Sequence, residues 1–183
     1  MNTRVKSLIT PIIVTFVIFV VASYCIIQPH TFDDYSSCVS YAISGVTILF
    51  LLYEKFLWRF IPWNRPPVLK NEYDGVIEYV REKQSHSKEI KISVKQTLLT
   101  IRITTKTDIN SSRALTGEIV EEHGTNILYY SYITNPSAQC RDDNPIQYGT
   151  CRMELSLDDR KTMIGHYWTS ANTTGDIIWK EKD

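Results

Sequence analysis

IKISVKQTLLTIRI, residues 90–103, decides how the larger part of this chain folds. Ile90, Ile92 and Val94 alternate with Lys91, Ser93 and Lys95, the period of a strand with one buried face. After a tight connection at Gln96-Thr97 the pattern resumes with Leu99, Ile101 and Ile103 facing inward. The same period-2 reading extends in both directions. Tyr73, Gly75, Ile77 and Tyr79 share a face of an earlier strand; Leu115, Gly117 and Ile119, then Leu128, Tyr130 and Tyr132, follow. Cys151, Met153, Leu155 and Leu157 mark a sixth strand, Gly165, Tyr167 and Thr169 a seventh, and 175–182 an eighth. No stretch of this region has helical period. Eight short strands in about 115 residues suit an all-β, eight-stranded up-and-down, lipocalin-like barrel, whose closure removes exposed edges. Such a barrel fills itself or holds one small ligand. A β-sandwich is the alternative architecture.

The first third reads differently. Leu8 to Ile27 and Tyr35 to Tyr53 contain no charged residue. Each approaches the ~20 residues that a membrane-crossing helix needs. The spans are set at about 8–27 and 35–55, within an N-terminal hairpin over 1–61. The connection holds Asp33 and Asp34, whereas the outer flanks hold Arg4, Lys6, Lys55, Arg59 and Arg65. That asymmetry places both termini in the cytoplasm. Trp58, Trp63, Tyr35 and Tyr53 fall where interfacial aromatic belts belong. Two other readings are a cleaved signal peptide for the first segment and a soluble core helix for the second. The first segment is long for a signal peptide and lacks a small-residue cleavage site. Three prolines between 62 and 67 mark a stiff linker over 62–69, ahead of a cytosolic ligand-binding domain at 70–183.

Composition narrows the partners. The chain has 20 basic and 20 acidic residues; five and three precede Pro66, leaving 15 and 17 beyond it. A slightly acidic domain has no footprint for a DNA or RNA polymer. Cys25, Cys38, Cys140 and Cys151 have no metal-ligand spacing, and the last two should stay reduced in the cytosol. His86, His123 and His166 are scattered, with no P-loop, G-x-S-x-G or paired carboxylates. We therefore expect no enzyme activity, no metal and no cofactor.

The connections carry what chemistry there is. In an up-and-down barrel they alternate between the two ends. Gln96-Thr97, 123–125 and 158–162 are tight; 82–87, 106–112, 135–147 and 170–174 are longer and should form a membrane-distal mouth. Thr105, Thr107, Ser111, Ser112 and Arg113 in one stretch, with Asn172 and Thr174 in another, can donate to phosphate oxygens. Tyr79, Tyr132 and Tyr167 face inward and offer flat surfaces to a nucleobase. Hydroxyl-rich loops and core tyrosines are also ordinary features of turns and barrels.

The order of parts resembles the two-transmembrane β-barrel effectors of bacterial CBASS anti-phage systems. Its landmarks are Tyr73-Asp-Gly75, the hydroxyl run from Thr105 to Ser112, and Tyr130-Ser-Tyr132 with Asn135-Pro136. Gly149-Thr150 and Gly165-His-Tyr167-Trp-Thr169, leading to Thr174-Gly175, complete it. The resemblance implies that a partner nucleotidyltransferase of the CD-NTase class makes a cyclic dinucleotide and the barrel binds it. The protein then forms a homo-oligomer and disrupts the inner membrane, causing abortive infection. Tyr79, Thr105, Thr107, Ser111, Ser112, Arg113, Tyr132, Asn172 and Thr174 are the implied ligand residues. Ser40, Ser44 and Gly45 form a small-residue face on the second span, for packing within the hairpin or between copies. Two rivals are a membrane-tethered, lipocalin-like binder of an apolar small molecule and a structural protein with a filled barrel.

Overall fold

In the structure, a computed structural model, residues 3–60, 67–81, 84–108, 110–141, 145–156 and 161–182 are described. The linker prolines at 62 and 66, Trp63, Arg65 and Leu157 lie outside them. The chain divides into two compact units, Met1–Arg65 and Pro66–Asp183.

The first unit is an α-hairpin of α1 (Thr3–Ile27) and α2 (Phe32–Lys55). A capping box starts α2: the Thr31 hydroxyl accepts from the Asp34 N–H, and the Asp34 carboxylate accepts from the Thr31 N–H at 3.0 Å. Among the described residues α2 is long and apolar enough to cross a bilayer, and α1 is apolar over the shorter Pro11–Ile27. Cys38, Ala42 and Gly45 lie on the packed side of α2, and a Cβ at Gly45 would run into the Phe19 ring of α1. Ser40 and Ser44 are exposed on a different face. The small-residue motif thus splits: Gly45 packs within the hairpin and the two serines do not. Trp58, expected at a membrane interface, is fully buried and has the Arg59 guanidinium over its ring at 5.6 Å.

The second unit is a closed barrel of eight antiparallel strands in sequence order. They are β1 (Glu72–Arg81), β2 (Gln84–Gln96), β3 (Ile101–Lys106), β4 (Asn110–Glu122), β5 (Thr125–Pro136), β6 (Tyr148–Leu155), β7 (Thr162–Thr169) and β8 (Thr174–Glu181). β8 returns to β1, with Gly75 opposite Trp179, so no edge is left open. Inward faces fill the middle of the barrel: Ile90, Ile92 and Val94 meet Leu128, Met153, Met163 and Trp179 in one buried cluster. An aromatic column runs through it, with ring centroids 5.8 Å apart for Tyr132–Tyr130 and Tyr130–Trp179 and 5.7 Å for Trp179–Tyr73. At Gly165 the packing leaves no room for a side chain, because a Cβ would strike the Arg152 carbonyl.

The base of the barrel, where the chain arrives, is plugged by its own leading segment. Leu69 is buried; its N–H donates to the Gln96 side-chain oxygen at 2.8 Å, and the Gln96 amide donates to the Pro67 carbonyl at 2.9 Å. Pro67 to Leu69 thus pack as part of the barrel, whereas the composition break assigned them to the linker.

Two inward assignments are overturned. Leu99 is 45% exposed, because residues 97–100 form a turn closed by the Thr97 N–H to the Thr100 carbonyl at 2.9 Å, and Leu98 takes the buried place. Leu115 is 58% exposed because a β-bulge between Ala114 and Thr116 inserts it as an extra residue. Loop lengths also differ from expectation. β1 ends at Arg81 and β2 begins at Gln84, and β3 and β4 take up most of 101–122, so hydroxyls read as loop belong to strands. What distinguishes the two ends is therefore the lining of the interior, not the length of the connections.

Candidate ligand site at the barrel mouth

Above the apolar cluster, strand alternation brings a polar and aromatic layer inward. On β1 and β2, Ile77 is opposite Lys88 and Tyr79 is opposite His86, with the last two rings stacked at 5.4 Å. Lys88 is half-buried at this level. Thr105 of β3 is opposite Ser112 of β4, which is opposite Thr134 of β5. Tyr132 of β5 lies between Ala114 and Gly149, and its ring occupies the space a Gly149 side chain would need. Tyr167 of β7 is opposite Gly175 and lies over it in the same manner. Two glycines thus let two tyrosines lean into the interior.

Asn110 carries an unmet hydrogen bond. Its N–H donates to the Thr107 hydroxyl at 3.0 Å, but its side-chain oxygen is buried with no partner among the described residues. A buried acceptor left open in the lining of a mouth is a place for a ligand donor.

Burial keeps the site's hydroxyls neutral. It pushes Tyr132 and, further down, Tyr130 well up, and it raises the Tyr167 hydroxyl and the Cys151 thiol each to about 12. At neutral pH these groups donate hydrogen bonds and do not repel a phosphate as anions.

Of the residues singled out in the sequence, Tyr79, Thr105, Ser112 and Tyr132 converge on this layer. Thr107 is bound up in the β3–β4 turn, where its N–H donates to the Asn110 carbonyl at 2.8 Å. Ser111 and Arg113 stand on the outer face, opposite Lys106 and Thr104. Asn172 occupies the β7–β8 turn with φ 57°, and Thr174 is exposed. The bulge accounts for the largest difference. Alternation counted back from Ile119 turns Arg113 inward; the extra residue reverses the count, so Ser112 and Asn110 point in and Arg113 points out. Arg113 instead lines an outer groove of about 440 Å³ between β3 and β4, with Arg102 and Leu115.

Lys88, His86 and Asn110 were not singled out as contacts. Stepping back in twos from Ile90 reaches Lys88 and then His86, but reading 82–87 as a connection leaves His86 in a loop. Arg141, after β5, adds a cation at the rim and donates to the Asn135 side chain at 3.4 Å.

Comparison with known proteins places this geometry. The model of the Cap15 cyclic dinucleotide receptor domain matches residues 65–181, the whole barrel. CD-NTase-associated protein 15 of Staphylococcus schleiferi is 34% identical over 172 residues, covering 92% of this chain and 90% of the relative. A match across both the hairpin and the barrel shows that this chain belongs to the Cap15 family of CBASS effectors, with a cyclic dinucleotide receptor domain as its barrel.

Proposed function

We propose that the barrel binds a cyclic dinucleotide at its mouth and that occupancy drives the hairpins to cluster and breach the bacterial inner membrane. One observation carries the ligand assignment. The interior changes from fully buried Trp179, Leu128 and Met153 to a layer of Tyr79, Lys88, Thr105, Asn110, Ser112 and Tyr132. A dinucleotide needs this combination: aromatic faces for nucleobases, a cation and hydroxyls for phosphates, and an open acceptor for a nucleobase N–H. A lipocalin-like carrier of an apolar molecule needs a deep apolar cavity, and here side chains fill that volume.

The hairpin supports the membrane half of the proposal. Ile43, Ile48, Leu51 and Leu52 of α2, with Ile13, Val17 and Val21 of α1, are exposed. An apolar surface of this extent calls for lipid or a partner. Both termini face the cytoplasm, where a messenger made by a CD-NTase reaches the barrel. Ser40 and Ser44, away from the Gly45 contact, provide a close-packing face for a second copy. Clustering follows occupancy only if the oligomer binds the ligand more tightly than the monomer does.

The test is growth arrest in cells that express the chain with its nucleotidyltransferase. We expect Tyr132→Ala to abolish it while the protein still reaches the membrane. Arrest at wild-type strength would contradict a ligand site at the mouth.

A further inference from the structure

The outer wall of the barrel holds a charge pattern that the fold does not require. Outward positions of β2 and β3 place Lys91 opposite Lys106 and Lys95 opposite Arg102, and Arg113 extends the row opposite Thr104. Like charges directly opposite across two strands destabilise a sheet. The barrel's ion pairs lie elsewhere, at Lys70–Glu181, Arg152–Glu122, His166–Asp176 and Lys182–Glu72. Among the described residues none of the five cations is in one. The acids that border them are Glu72 (opposite Ser93 and paired with Lys182), Asp74 (opposite Lys91), Glu89 on β2 and Glu118 below the bulge. The domain as a whole has more acids than bases, so this face is a segregation of charge and not a reflection of composition.

The face ends in an apolar tip. Leu98 anchors the β2–β3 turn inside, two hydroxyls 2.9 Å apart (Thr97 and Thr100) brace it, and Leu99 is exposed at the tip, beyond the Lys95–Arg102 pair. This turn lies at the base of the barrel, the end at which the chain arrives from its apolar helices. We propose that the β2–β3 face docks the barrel on an anionic lipid surface, with the cations over phosphate headgroups and Leu99 in the interface. A second copy is the other occupant to weigh, since Glu78 and Asp176, opposite each other on β1 and β8, offer a complementary patch. The bilayer is favoured because the exposed Leu99 and the Lys95–Arg102 pair share the end at which the chain arrives, whereas an acidic patch has no use for Leu99.

The inference rests on reading the hairpin as a membrane anchor. The test is hydrogen–deuterium exchange on the full chain in nanodiscs holding one copy each, made of phosphatidylcholine alone or with added phosphatidylglycerol. Amides between 95 and 106 should exchange several-fold more slowly in the anionic discs. High salt should remove that protection, because exposed charges are screened. Leu99→Ser should weaken it without changing charge, and Lys95→Glu with Arg102→Glu should abolish it. If the double variant loses the barrel's far-ultraviolet spectrum, the salt response and Leu99→Ser decide. Equal exchange in both lipids would overturn docking while leaving the anchor intact. Protection seen only in discs holding two copies would assign the face to a protein interface and overturn it too. A chain that failed to enter discs at all would overturn the anchor and the docking together.

Discussion

Lys88 and Arg113 are both cations on barrel strands, and one place in the alternation sends them to opposite sides of the wall. Lys88 is half-buried in the lining of the mouth, whereas Arg113 is exposed outside it. Lys88→Ala should weaken dinucleotide binding by about tenfold, the worth of one charge-assisted hydrogen bond. Arg113→Ala should leave it near wild type; titration of the purified proteins separates the two, and the reverse order would contradict the placement. The buried hydroxyl and thiol set a pH limit. Tyr167 and Cys151 titrate near 12 in the fold and lower when unfolded, so neutral groups contribute stability that is complete below the unfolded values. That contribution is lost as pH rises toward the folded values. The barrel's melting temperature should be level from about pH 6 to 8 and fall above about pH 9. Circular dichroism checks this, and a rise at alkaline pH would refute it. Alternation alone made Tyr79, Tyr132 and Tyr167 legible as inward residues. Asn110 and Ser112 were not legible as inward, because nothing in Ala114-Leu115-Thr116 signals a bulge and the bulge reverses the parity of everything before it.

At the scale of elements, the eight strands were readable because each alternates over several residues with one apolar face. The turns were less so: Leu98-Leu99 offers two equivalent hydrophobes, and only the hydrogen bonds of the 97–100 turn choose between them. The base plug was invisible, since a glutamine at the end of a strand gives no sign that it will hold the linker. Gln96→Leu would leave the Leu69 N–H and the Pro67 carbonyl without partners in a buried place. We expect a loss of about 2 kcal/mol and a melting temperature lower by several degrees, with ligand affinity at the mouth little changed. Unchanged stability would mean that the plug is dispensable. In the hairpin, Gly45 packs on Phe19 while Ser44 is free on another face, so the two positions should behave differently. Ser44→Leu should preserve ligand binding and abolish killing if copies meet through the serine face. Full toxicity in that variant would remove the face from the mechanism.

At the scale of the whole molecule, two units of different solvent preference are joined in one chain: an apolar hairpin and a filled barrel with a polar mouth. In the proposed function, it is the charge asymmetry around the hairpin, not any property of the barrel, that puts the barrel in the cytoplasm. The aromatic column from Tyr132 to Tyr73 ends beside the linker, where the Tyr73 hydroxyl accepts from the Lys70 N–H at 2.8 Å. The mouth and the chain's point of arrival are thus connected by packed rings. All of this depends on the barrel being a receptor that reads its ligand at the mouth. Isothermal titration of the detergent-purified full chain against a panel of cyclic dinucleotides tests that directly. Saturable binding of at least one of them, weakened at least about tenfold by Tyr132→Ala through loss of nucleobase stacking, is the predicted result. Binding by none of the panel, or binding indifferent to Tyr132, would contradict it.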